Sequence, residues 1–337
     1  MGLITAAPPV AATTSRSPLE GRLRRRAAVV LPALAVASLV TNIVVVGTGG
    51  AVRLTASGLG CPTWPQCGDG AYVAQSEYGV HGAIEFGNRL LTFVLVAVVA
   101  ATLVAAVGAR RSLPGVLAPA VLGFVGIPAQ AVIGGISVLT HLNPWVVMVH
   151  FVASCALVAV STVLVLRTRA GAVRAAGTRW GPRRWVGPPA LTVLAWLVGL
   201  VTAAVVCVGV VVTGSGPHAG DLQARRTGLA PAAVSQLHAD VVMLLLGLTV
   251  GLVVAVQVLP RDSRAVQAAR ASAALLAIEA AQALCGAVQY ATGLPVALVD
   301  LHLVGAAGVV AVAVWAVLSL RDPATAPVPA AEPVLAR

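Results

Sequence analysis

Long apolar runs alternate along the chain with short polar connections, and each run is close to the length that crosses a bilayer. A span needs about 20 predominantly apolar residues. Stretches 27–48, 82–106, 114–136, 144–166, 189–212, 232–259, 271–290 and 295–320 meet that requirement. They predict an all-α integral membrane protein of eight transmembrane helices, because a helix satisfies its backbone polar groups internally where lipid cannot. The first run follows Arg22, Arg24, Arg25 and Arg26 much as the core of a signal peptide would. It is too long for such a core and no small-residue cleavage site follows, so an uncleaved helix is expected. The Pro/Ala-rich tail from Pro323 is expected to be disordered.

Polar landmarks recur between the two halves. Thr55-Ala-Ser57-Gly58 returns as Thr213-Gly-Ser215-Gly216 at an offset of 158 residues. Gln130-Ala-Val-Ile-Gly134 returns as Gln282-Ala-Leu-Cys-Gly286, and His150 as His302, both at an offset of 152. Four helices per unit give the second unit the orientation of the first, so the pattern predicts two parallel-repeat four-helix bundles related about the membrane normal. The expected organisation is an Arg-rich cytoplasmic segment 1–26, a first half 27–166, a cytoplasmic linker 167–188, a second half 189–320 and a tail 321–337.

Composition sharpens this picture. Hydrophobic residues make up 58% of the chain and charged residues 10%, against about 25% charged in soluble domains. The net charge of +11 would suit a nucleic acid, but all 22 basic residues are arginines, and 18 of them fall in five clusters flanking the apolar runs. These are Arg16 to Arg26, Arg110 with Arg111, Arg167 to Arg184, Arg261 to Arg270, and Arg321 with Arg337. They alternate with arginine-poor connections, as the positive-inside rule requires. The partner implied is membrane lipid and not nucleic acid, with both termini on the cytoplasmic side of a bacterial plasma membrane.

Polar and ionisable residues inside a membrane are costly and suggest function. His150 and His302 lie about two turns into the fourth and eighth helices, and His238 has a similar depth in the sixth. Two neutral imidazoles facing each other across a four-helix bundle form the usual axial pair for a haem iron, which makes His238 and His302 candidate ligands. In the second helix the position matched to His238 is Asn88. His81, Glu85 and Asn88 follow at i, i+4 and i+7 and so line one helical face, expected to face the first bundle opposite His150. Arg89 is the obvious ion-pair partner of Glu85. Gln130 and Gln282 are read as interhelical hydrogen-bonding residues, and His141 and His218 as solvated loop residues. Asp240 and Asp300 point away from their neighbouring histidines and have no assigned role. Cys61 and Cys67 sit in the first outer connection, where a disulfide is expected. Cys155, Cys207 and Cys285 lie within helices as small core residues.

At these residues the chain resembles the haem A synthase family. The resemblance covers about residues 27–320 and is carried by VRLTASGLGCPTWPQC at 52–67, IEFGNRLLT at 84–92 and the histidines at 150, 238 and 302. It implies oxidation of the ring-8 methyl of haem O to a formyl group through hydroxylated intermediates, supplying haem A to a terminal oxidase. It further implies Glu85 as the catalytic acid and a disulfide between Cys61 and Cys67. His238 and His302 would hold a permanent haem b, and His150 the iron of the substrate haem. Implied partners are a haem O synthase (protohaem farnesyltransferase) and oxidase assembly factors. The chain departs from many relatives in three places. Asn88 stands where they have a second first-half histidine, leaving Asn88, His81 and Arg89 as further candidates at the substrate. Ala239 follows His238 in place of an arginine. The second outer loop has no cysteine; its Arg225 and Arg226 are candidates for haem propionates, although loop arginines are usually just solvated. Two rival readings are a non-catalytic dihaem b-type cytochrome, which needs no acid, and a transporter, which would need broken helices at mid-membrane.

Overall fold

The computed structural model describes residues 18–68, 70–174, 179–180, 184–185, 187–260, 263–322 and 325–326. Eight helices dominate: α1 (Pro18–Leu54), α2 (Gly79–Ala109), α3 (Leu117–Leu139), α4 (Pro144–Arg174), α5 (Pro189–Ser215), α6 (Pro231–Gln257), α7 (Ser263–Ala291) and α8 (Val296–Ser319). All eight are long and apolar enough to cross a membrane, so the chain is an all-α, multi-pass membrane protein. Proline opens α4, α5 and α6, where its missing N–H leaves nothing unsatisfied.

The helices start and stop differently from the apolar runs. The helix α1 begins at Pro18, so the Arg22–Arg26 cluster lies in its first turns, with Arg24 paired to Glu20 one turn back. Beyond α8, Arg321–Asp322 (β3) pairs with Arg184–Trp185 (β2), and Thr325–Ala326 (β4) with Arg179–Trp180 (β1). The rest of the tail expected to be disordered lies outside the described residues.

Within α1–α4 each helix packs on the next and α4 closes back on α1; α5–α8 do likewise, α8 closing on α5. The two sets meet through α1, α4, α5 and α8. Leu191, Val198, Leu252, Leu275 and Val317 anchor the core of the second set. Two smaller clusters fill the first, one of them built from Leu95, Val99, Ile127 and Leu157. Val46, Val158 and Ala307 pack where the sets join.

The α3–α4 and α7–α8 turns are built alike. Leu142 N–H donates to Ser137 O and Leu294 N–H to Gln289 O, both at 2.7 Å. Leu142 and Leu294 share a positive φ, 55° and 62°, a conformation that costs a non-glycine residue free energy. Burial of Leu142 against Gly58 and Gly220 helps to hold that turn in place. At this same end the two sets interlock. Arg53, closing α1, donates from Nε to His218 O at 2.8 Å and from Nη2 to Thr213 O at 3.0 Å, and Gly58 N–H donates to Gly220 O at 2.9 Å.

Candidate functional site

Helix geometry sets the depth of the three membrane histidines. His150 and His302 are each six residues into their helices and His238 is seven, which at 1.5 Å per residue is roughly 10 Å from the end bearing the interlocked loops. All three meet a glycine on a neighbouring helix. A Cβ on Gly134 of α3 would lie 3.1 Å from His150 Cε1, one on Gly286 of α7 3.4 Å from His302 Cε1, and one on Gly209 of α5 3.0 Å from His238 Cε1. The glycines thus let each ring lie close against the next helix. The His238 and His302 rings face each other with centroids 6.5 Å apart and planes at 81°.

In all three rings Nδ1 is buried without a hydrogen-bond partner. The Val205 carbonyl of α5 also lies near the His238 ring. Buried polar atoms are normally satisfied, so three unpartnered imidazole nitrogens at one depth make these histidines candidate ligands.

The first set adds an acid. Glu85 is 5% exposed, and both of its oxygens are engaged. Oε1 accepts from Arg89 Nη2 at 2.6 Å and Oε2 from the Cys61 N–H at 2.7 Å. Arg89 also donates to the carbonyls of Gln66 (3.1 Å), Thr63 (3.1 Å) and Cys61 (3.3 Å). The pair thereby clasps the loop that the Cys61–Cys67 disulfide closes, whose Cα atoms are 4.3 Å apart. Trp64 of that loop lies on Gly135, where no Cβ would fit, one residue from the glycine that receives the His150 ring. The loop, termed the lid from its place over this end of the helices, is thereby seated between α2 and α3.

Both sulfurs are fully buried, and closing so short a loop contributes about 2 kcal/mol at most by the chain-entropy argument, so its main effect is local. Thiol alkylation of native membranes without reductant, followed by mass mapping, should leave Cys61 and Cys67 unlabelled. Full labelling of both would refute the bridge.

The residues that share one face of α2 each have a different partner. Asn88 Oδ1 accepts from Thr48 of α1 at 2.7 Å, and His81 Nδ1 pairs with Ser57 Oγ at 2.9 Å on an otherwise exposed ring. They address α1 and the loop after it, each with its own partner. Gln130 bridges helices as expected, donating to His150 O at 3.0 Å and to Ser154 Oγ at 2.5 Å. His218 is not solvated: half-buried, it pairs through Nε2 with Leu294 O at 3.0 Å. His141, Arg225 and Arg226 are exposed, with Arg226 donating to Pro217 O at 2.6 Å. Asp240 is exposed and accepts from Gln236, while Asp300 sits against Gly50 of α1 with Oδ1 unpartnered. Cys155 is buried as expected, whereas Cys207 is exposed on its helix. Sequence reasoning passed over Glu279 of α7, which is 4% exposed. The rule that drew attention to the histidines, that an ionisable group within a span suggests function, would have found it.

A family model described as "Cytochrome oxidase assembly protein", COX15-CtaA, matches residues 32–221, more than half of the chain. The chain belongs to the COX15-CtaA family. It is similar to "Heme A synthase" of Geobacillus kaustophilus (strain HTA426), with 33% identity over 138 residues, 40% of this chain and 43% of that protein. It is also similar to "Heme A synthase" of Geobacillus thermodenitrificans, with 31% identity over 142 residues, 41% of this chain and 44% of that protein. The match spans less than half the length of either relative. Family membership agrees with the resemblance carried by the 52–67 and 84–92 segments. The lid, Glu85, Arg89 and His150 all lie within the part of this COX15-CtaA chain that the family model covers.

Proposed function

We propose that this protein is a haem A synthase that oxidises the ring-8 methyl of haem O to a formyl group through hydroxylated intermediates. The observation that carries the reading is the division of labour between its halves. Facing imidazoles with orphaned nitrogens lie in the second, and a buried acid beneath a disulfide lid lies in the first.

A haem suits the second-half pair. The pair offers two imidazole donors, and a porphyrin iron brings its own equatorial donors. Two imidazole–metal bonds of about 2 Å, plus about 1 Å from each nitrogen to its ring centre, place the centroids roughly 6 Å apart. The observed 6.5 Å is close to this. His238 and His302 would therefore be the axial ligands of a haem b, which supplies one-electron redox chemistry when bound.

His150 would hold the iron of the substrate in the first half. His81, with Nδ1 committed to Ser57, keeps Nε2 free as a second candidate, and Asn88 is a polar contact already tied to Thr48. Glu85 would meet the positive charge that develops as the methyl group loses electrons to the conjugated ring, or accept its proton. Arg89 and the Cys61 amide hold the carboxylate in place. The lid keeps water from the reacting edge. This reading places both termini on the cytoplasmic side of the plasma membrane, with haem O synthase and oxidase assembly factors as partners.

The test is production of the protein in a host that makes haem O but no haem A, with extracted pigments resolved by mass. Haem A should appear alongside haem O. Haem B alone with unconverted haem O would overturn the reading in favour of a non-catalytic cytochrome.

A further inference from the structure

Glu279 lies in the second set with Thr249 Oγ1 of α6 donating to its Oε1 at 3.0 Å, while Oε2 is buried with no partner. Thr249 itself is 0% exposed. An uncompensated carboxylate at mid-membrane is costly, and packing does not demand one at this place. The corresponding positions of the first set, 150 residues earlier on α2 and 152 earlier on α3, are Val99 and Ile127. These two share an apolar cluster with Leu95 and Leu157, whose counterparts Leu245 and Val309 lie in the core of the second set. The same packing position is thus an apolar pair in one half and a hydrogen-bonded Thr–Glu pair in the other.

The position of Glu279 relates it to the histidines. Glu279, Gln282 and Gly286 stand at i, i+3 and i+7, one face of α7. Gly286 receives the His302 ring and Gln282 lies against Gly305 of α8. Glu279 is seven residues below the level of His302, roughly 10 Å along the axis, and so beneath the facing imidazoles without touching them. The titratable groups on the helices packed against α7 are His238 and Asp240 on α6 and Asp300 and His302 on α8. Asp240 is engaged with Gln236 on an exposed face, and Asp300 is turned to α1. Thr249 is the side chain seen to bond the acid.

We propose that Glu279, held by Thr249, binds a proton when the haem carried by His238 and His302 gains an electron and releases it when the electron leaves. The inference rests on the haem reading above. The step balances: the iron gains one electron from the substrate as it is oxidised, the carboxylate takes one proton from the aqueous phase, the net charge of the site is unchanged, and both are given up together when the electron passes to an external one-electron acceptor. In a weakly polar interior, where uncompensated charge is most costly, that neutrality is what a lone acid under a redox centre can provide.

The experiment is spectropotentiometric titration of the purified, haem-loaded protein across a range of pH. Complete coupling of one proton to one electron lowers the midpoint by about 59 mV per tenfold fall in proton concentration. The wild type should show a substantial part of that slope, and Glu279→Gln should lose most of it. The double variant Thr249→Val, Glu279→Ile installs the pair that the first half already packs, so it should fold, keep its haem and also lose the slope. Reduced-minus-oxidised infrared spectra should show a carboxyl C=O change in the wild type that is absent from Glu279→Gln. Equal slopes in wild type and Glu279→Gln, or a wild-type spectrum with no carboxyl change, overturn the inference while leaving the haem assignment standing. A protein with no low-spin haem overturns both.

Discussion

Alanine at His238 or at His302 is expected to strip the low-spin haem b from the purified protein while leaving the eight-helix fold intact. The rings lie 6.5 Å apart, so on this assignment each would supply half of the axial ligation, and among the described residues no third metal-ligating side chain joins them. Removing one should weaken retention at least tenfold, since each factor of ten corresponds to only about 1.4 kcal/mol. The fold should survive because neither Nδ1 bonds to protein. The cavity left beside Gly209 or Gly286 costs packing without breaking a network. Absorption spectroscopy and haem content of both variants provide the check. Wild-type low-spin spectra in both would refute the ligand assignment. His150→Ala, by contrast, should leave this haem in place and reduce binding of the substrate haem.

The spans were legible from the sequence because hydrophobicity alone decides what lipid tolerates, and the histidines were legible because ionisable groups are rare there. Helix ends were less so. The helices α1 and α7 begin before their apolar runs, since segments such as Arg22–Arg26 and Ser263–Arg270 are polar yet good helix formers. Arginine stems can also lie along the bilayer edge while their heads stay wet. Partners were the least visible. Periodicity put His81, Glu85 and Asn88 on one face, which fixes direction but not what lies opposite. Ser57, the Cys61 amide and Thr48 reach them through a loop path and a helix rotation that no period encodes. His218 was misread for the same reason, because Leu294 lies 76 residues away. The Thr249–Glu279 pair could have been found by comparing the halves for where they differ, at Val99 and Ile127, as well as for where they agree.

Glu85 is expected to serve both the chemistry and the loop above it. With the carboxylate accepting from Arg89 on one oxygen and from the Cys61 N–H on the other, glutamine is not a neutral replacement. One of the two donors would confront the amide NH2, and a buried donor left unsatisfied costs about 1–3 kcal/mol. Glu85→Gln should therefore do two things. It should slow haem A formation about 100-fold or more, the usual scale for losing a positioned charge or proton acceptor, so that haem O or a hydroxylated intermediate accumulates. It should also loosen the lid, making Cys61 and Cys67 easier to reduce. Haem b, in the other half, should be retained at wild-type levels. Arg89→Ala separates the two effects. It frees the same loop carbonyls of Gln66, Thr63 and Cys61 but keeps the carboxylate, so it should share the lid defect and retain more turnover than Glu85→Gln. Should the two variants lose turnover equally, Glu85 acts only by clasping the lid through Arg89. Near-normal haem A from Glu85→Gln, measured by pigment mass analysis, would remove the acid from the chemistry altogether.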